Sequence, residues 1–294
     1  MKPLPETLDR CPAMPAWVTA GRVDTIEDMA FLSGAALATL RLAVDWPGVP
    51  LALWRDRLAL RAARVCAGFA GRRETEAELR DAVHLARAGD LPGPAGAVLV
   101  RWRHAAGRKL SVPTLRRALP QEMADHVPVW LDTGPHGGPV GQAARVLQTV
   151  LAAYPRAEDS GLIIADAVLA RAMGWDHLVP LLAAGLKAVD LRKTDDDLRR
   201  ACHRAVVSQS TEAVRLAQDL SRRAAKLQQV APLLRAKGAA AAVDRFLTTD
   251  ALTPSLSLTD LMSDRAARRL CDRLVALGAV RELTGRTAFR LYGV

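Results

Sequence analysis

The chain is 294 residues long, 50 % apolar and 24 % charged, which is enough to bury a sizeable core and excludes an intrinsically disordered protein. Forty-one basic residues against 31 acidic give a formal net charge of +10, a surplus that permits contact with nucleic acid or another acidic surface. No run of roughly 18 apolar residues occurs, and the opening MKPLPETLDRCPAMPAW carries prolines and acids where a signal peptide needs an apolar stretch, so we expect a cytoplasmic protein with no membrane partner.

Aromatic residues make up only 4 %, and alanine, leucine and arginine dominate, a composition that favours helix over sheet. The expected fold is all-α, a multi-helix bundle with a small C-terminal winged-helix module of helix plus β-hairpin. Most of the basic surplus is arginine, and a GC-rich coding sequence produces the same bias without any partner. Local clustering of charge, and not its total, therefore has to carry a functional argument. Cys11, Cys66, Cys202 and Cys271 are far apart and show no metal-ligand spacing, as expected of reduced thiols.

Residues 1–22 read as a proline-punctuated arm, with Trp17 tucked onto the body. Asp24 or Thr25 can cap a helix that runs to Asp45, where Trp46-Pro47-Gly48-Val49-Pro50 breaks it. Further helices are expected over 51–70, stopped by Gly71, then over 74–88 and 95–106. Residues 107–139 are poor in pattern and hold Pro113, Pro120, Pro128, Pro135 and Pro139, with the His136–Pro139 stretch as the best internal linker. Helices resume over 140–153, 158–173 and 178–189. The longest periodic segment is a helix over 194–230, with Leu198, Cys202, Ala205, Gln209, Ala213, Leu216, Leu220, Ala224 and Leu227 along one stripe. Four segments follow from this reading: the arm at 1–22, an N-terminal helical region at 23–138, a helical bundle at 139–250, and a terminal module at 251–294.

That module holds the most informative stretch. Ser263 or Asp264 caps a helix whose apolar face is Ala267, Leu270, Cys271, Leu274 and Val275, with Gly278 as its stop. Arg265, Arg268, Arg269 and Arg273 occupy the rest of its surface, suited to phosphates or guanine edges in a major groove. Val280 and Leu283 then alternate with Arg281 and Glu282, Thr284-Gly285-Arg286 supplies a turn, and Phe289 and Leu291 alternate with Arg290 and Tyr292. Seven arginines against Asp264, Asp272 and Glu282 concentrate +4 of the chain's +10 in its last 32 residues. Double-stranded DNA is the expected partner, bound by Arg265, Arg268, Arg269 and Arg273 on the helix and by Arg281, Arg286 and Arg290 on the hairpin. The competing expectation is a helix–hairpin cap that packs on the bundle or on a protein partner, a second copy included, with its arginines serving only solubility. Earlier helices of a helix-turn-helix are only partly legible: 239–247 is one, 257–262 a degenerate second, and Pro254 leaves little room.

The motifs Gly93–Gly96 (GPAG), Leu191–Val206 (LRKTDDDLRRACHRAV), Leu234–Leu247 (LRAKGAAAAVDRFL) and the whole stretch from Met262 to Val294 together resemble a bacterial family known only as domain of unknown function 1403. The resemblance spans nearly the whole chain, is weakest over 107–139, and implies no activity. A fainter similarity runs to Fic-type helical proteins, in which a bundle often carries a C-terminal winged helix. Their nucleotidyl transfer needs HPFxxGNGR, whereas the corresponding Tyr154–Gly161 has no histidine, no GNG and no final arginine. That resemblance implies a copy inactive by that route; a non-catalytic protein without a cofactor is the expectation, and a diverged nucleotidyl-transfer enzyme using the polar loop from Trp175 to His177 is the alternative. His177 with Asp176 and His203 with Cys202 lack metal-ligand spacing, and Asp195, Asp196 and Asp197 complement the dipole of the long helix they open. Arg57, Arg61 and Arg64 form a second basic stripe, more often simply a solvated helix face.

Overall fold

The computed structural model of the protein describes residues 11–20, 25–86, 89–132, 134 and 137–294. Among them the α-helices are, in order, Ala16–Ala20 (α1), Ile26–Val44 (α2), Leu51–Phe69 (α3), Glu76–His84 (α4), Gly93–Gly107 (α5), Val112–Ala118 (α6), Gln121–Ala124 (α7), Val127–Leu131 (α8), Pro139–Ala153 (α9), Glu158–Ala172 (α10), Leu181–Gly185 (α11), Asp195–Val230 (α12), Ala239–Phe246 (α13), Pro254–Ser257 (α14) and Asp264–Ala276 (α15). The strands are Arg281–Glu282 (β1) and Tyr292–Gly293 (β2). The protein is thus mostly helical, as its composition implies, and none of the described helices is long and apolar enough to cross a membrane.

Local chemistry explains most boundaries. At α2 the cap is Thr25: its Oγ1 accepts from the Asp28 N–H at 3.1 Å, and Asp28 accepts in return from the Thr25 N–H at 3.2 Å. Asp24 and His136 lie outside the described residues. Thr75 and Glu78 form the same reciprocal cap on α4. That helix stops at His84, short of the expected 88, and α11 covers only five residues of the expected 178–189. Three short helices, α6 to α8, fill the region expected to lack pattern. Pro113 and Pro128 lie in the first turns of α6 and α8 and Pro120 at the cap of α7, where they open helices instead of breaking them, because a first-turn residue has no intrahelical bond for its N–H to lose. The arm contains α1, and Trp17 is 53 % exposed rather than tucked in, whereas Val18 is buried.

The described residues divide into two compact units, each assembled from separated stretches: those within 11–20, 34–54 and 210–294 form one, and those within 25–33 and 55–209 the other. The second unit is organised on α10, which is buried on every side from Ser160 to Ala170. Here α9, α8 and α11 pack against α10, α4 and α6 pack against α5, and the missing side chain of Gly161 lets Leu147, Val150 and Leu151 approach closely. Asp159 joins α5 to α10, accepting from Trp102 Nε1 at 2.7 Å and from Arg101 Nε at 3.0 Å. Gly185 is a contact point too: an added Cβ would stand 2.8 Å from Ala205 Cβ and 3.0 Å from Ala205 Cα. Gly185→Ala is therefore expected to lower stability by about 1–3 kcal/mol, read as a lower urea midpoint, since backbone cannot swing away as a flexible side chain can.

In the first unit, Trp54 is fully buried and donates from Nε1 to the Ala213 carbonyl of α12 at 2.9 Å. Leu220, Ala224 and Leu227 continue the apolar stripe of that long helix as read from the sequence. At the other end of the chain, Arg223 of α12 donates to the Val294 carbonyl at 3.4 Å. Cys66, Cys202 and Cys271 are buried free thiols, and Cys11 is a half-buried one.

Candidate nucleic-acid interface

The terminal helix α15 is fixed at both ends. Ser263 caps it, accepting from the Ala266 N–H at 3.4 Å, and Gly278 leaves it with φ +65° while Ala279 donates back to the Leu274 carbonyl at 3.0 Å. Ala267, Leu270, Cys271 and Leu274 are buried, but Val275 is 38 % exposed and stands outside the apolar face expected for it. At about 100° per residue, Arg265, Arg269, Asp272 and Ala276 form the crest opposite that buried face, with Arg268 on one flank and Arg273 on the other. All four helix arginines are exposed, as are Arg281, Arg286 and Arg290.

The two strands pair antiparallel, Arg281 opposite Gly293 and Glu282 opposite Tyr292. Tyr292 is bridged on its other edge to Leu252, which donates to its carbonyl at 2.8 Å and accepts from its N–H at 2.9 Å. Three stretches thus lie side by side, Leu252, Tyr292 and Glu282 in that order. This central position buries Tyr292, which the alternation had placed outward. Phe289 moves the opposite way, to 71 % exposure, because the backbone there is left-handed (φ +53°) and belongs to the turn, not to a strand. Pro254 opens α14 at 254–257, earlier than the degenerate helix expected over 257–262.

The turn between the strands is built on one carboxylate. Glu282 accepts from the Thr284 N–H at 2.7 Å, from the Gly285 N–H at 2.8 Å and from the Thr284 hydroxyl. Although burial pushes its pKa upward, these bonds outweigh that and hold it below the usual carboxylate range. Arg290 donates from Nε to the Arg286 carbonyl at 2.8 Å, and the neighbouring Tyr292 hydroxyl holds its guanidinium more firmly protonated.

Concavities open on both flanks of α15. One, of about 350 Å³, brings Arg268 of the helix together with Phe289 and Arg290 of the turn, and with Asp272 and Thr253. The other, of about 790 Å³, joins Arg269 and Arg273 to Leu233, Leu234 and Arg235. Arg265, Arg281 and Arg286 line neither. Arg268 is also paired with Asp264 at 2.9 Å. Arg235 escaped the reading of the sequence because it lies some thirty residues before the helix it joins. Its one signal was a basic Arg235-Ala236-Lys237 stretch ahead of Gly238.

Other candidate residues lie in the second unit. His203 Nδ1 is 2.8 Å from the Ser33 hydroxyl, and burial pushes its pKa down to about 4. Burial and the nearby Arg55 also lower that of His177. Asp195, Asp196 and Asp197 do form the first turn of α12. Among the described residues no three His, Cys, Asp or Glu side chains cluster as a metal site would require. The Tyr154–Gly161 stretch comprises the turn between α9 and α10 at 154–157 and the first residues of α10, its tyrosine hydroxyl donating to the Glu122 carbonyl at 3.2 Å. In the second basic stripe Arg57 and Arg61 are half-buried, and Arg64 lies 3.8 Å from Glu76.

No curated protein matches the chain. A family model does, over residues 3–294, and the chain therefore belongs to the family described as Protein of unknown function (DUF1403).

Proposed function

We propose that the protein binds duplex DNA without catalysis, through a C-terminal winged helix. The order of elements supports the module: helix α13, an extended Leu252, helix α14, helix α15, strand β1, the turn, and strand β2 beside Leu252. The observation that carries the function is the placement of charge. One rigid helix buries its apolar face and turns four arginines outward, and three more stand exposed on the adjoining ribbon. Phosphate contacts of this kind give tight, salt-sensitive binding with little dependence on sequence. In this reading the helical remainder serves as scaffold or as a surface for self-association.

Replacing Arg268 and Arg269 together by alanine tests it. In a mobility-shift titration at low salt the double variant is expected to bind duplex DNA at least tenfold more weakly than wild type, with an unchanged circular dichroism spectrum. Equal retardation of the two proteins would remove the assignment. A protein-docking role is the second reading, favoured by Phe289, a large aromatic side chain 71 % exposed in the turn. In that case Phe289→Ser abolishes capture of a partner, and the arginine pair is dispensable.

A further inference from the structure

We infer that α15 enters the major groove as a ridge while the two sugar-phosphate backbones lie one in each flanking concavity, with Arg235 as the principal grip on the side away from the turn. The inference rests on the DNA-binding reading and adds to it a duplex-specific geometry and a contact residue outside the terminal module. An α-helix with its side chains is about 10–12 Å across and the major groove of B-form DNA about 12 Å wide, so a helix seated there has a phosphate strand along each flank. The two concavities occupy those flanks, and each contains arginine.

The flanks differ in strength. On the turn side, Asp272 shares the lining with Arg268 and Arg290, and Arg268 is already engaged by Asp264 at 2.9 Å. On the other side Arg235, Arg269 and Arg273 converge with no carboxylate among the lining residues. None of those three has an ion-pair partner among the described residues, and all are exposed. Three like charges sharing one concavity repel each other in the free protein, and a phosphate placed among them relieves that repulsion. Leu233 and Leu234 form part of the same wall.

The test uses the full chain with a fluorescein-labelled mixed-sequence duplex and, separately, one of its single strands. Arg235→Ala is expected to weaken duplex binding more than Arg290→Ala does. Its deficit should shrink about threefold between 50 and 200 mM salt, the loss of one phosphate contact. Arg235→Lys should recover most of the binding, because it restores the charge. Arg222→Ala, an exposed arginine of α12 that lines neither concavity, should bind as wild type does. If Arg235→Ala matches wild type while the Arg268/Arg269 double variant fails, the two-flank geometry is wrong and the DNA-binding reading survives. Equal affinity of wild type for the single strand overturns the geometry in the same way. Absence of duplex binding by wild type at 50 mM salt overturns both.

Discussion

Alanine in place of Asp166 is expected to destabilise the protein by about 3–5 kcal/mol, measured as a lower urea midpoint. The residue is fully buried on α10 and caps another helix from outside it. Its Oδ1 accepts from the Leu181 and Leu182 N–H groups at 3.1 and 2.8 Å, and its Oδ2 from the Ala183 N–H at 3.1 Å. These are the first N–H groups of α11, and Pro180 at the cap position supplies no side-chain acceptor. Removing the carboxylate leaves Leu181 its second acceptor, the Val179 carbonyl at 2.8 Å, but strands the Leu182 and Ala183 donors among buried side chains, where water cannot replace it. Asparagine should cost less. It keeps one oxygen for Leu181 and Leu182 but turns its amide N–H₂ toward the Ala183 donor. A urea midpoint unmoved by alanine would mean that α11 finds other acceptors.

The same carboxyl gives the stability a pH dependence of defined sign. Burial pushes its pKa from 3.8 up to about 7, against the downward pull of the three N–H groups. An acid raised on folding holds its proton more tightly in the native state. Its stabilising contribution is therefore complete below the unfolded value and is lost as pH rises through 7, on the order of 4 kcal/mol in all. His203 works in the opposite sense: lowered from 6.5 to about 4, it penalises the native state as pH falls between those values. Comparing wild type with Asp166→Asn at each pH cancels the histidine. The stability gap between the two should narrow from pH 5 to pH 8, and a constant gap would show that the carboxyl does not titrate in that window.

How far the sequence reveals this architecture depends on whether the determining forces are local. Ser263, Gly278 and the apolar stripe of α15 act within one helix, and all are visible in a linear reading. The 36-residue helix α12 is equally legible, its heptad-like stripe being a property of one continuous segment. Helices α6 to α8 were hidden because each is at most seven residues long, too short for periodicity to register, and prolines disguised their starts. Tyr292 is buried because burial in a ribbon is set by its neighbours, here Leu252, forty residues away, and Phe289 is exposed because its left-handed backbone belongs to the turn. The same holds for Asp166, an unremarkable acid in sequence whose role as a cap exists only once α11 packs against α10. Arg235 was missed for this reason also. The seven terminal arginines are legible as a cluster, but the division of Arg268 and Arg290 from Arg269 and Arg273 between two flanks of α15 depends on what packs beside that helix.

The salt dependence of wild-type binding is where charge and geometry separate most sharply. Six to eight arginine–phosphate contacts predict that duplex affinity falls roughly two-thousand- to twenty-thousandfold between 50 and 200 mM salt, each contact adding about 0.9 to the slope of log K against log salt. Two acidic residues then distinguish how the arginines act. Asp272 lies on the crest of α15, exposed among the arginines, so Asp272→Asn should tighten binding about threefold by removing one repulsion with phosphate. Glu282→Ala also raises the net charge by one, and Coulomb's law alone predicts the same tightening. But Glu282 holds the Thr284 and Gly285 N–H groups at 2.7 and 2.8 Å, and so shapes the turn that carries Arg286 and Arg290. Its loss should therefore weaken binding and lower the salt slope by one to two contacts. If Glu282→Ala binds more tightly than wild type, the turn arginines act only as diffuse charge, and the ribbon contributes no positioned grip on the duplex.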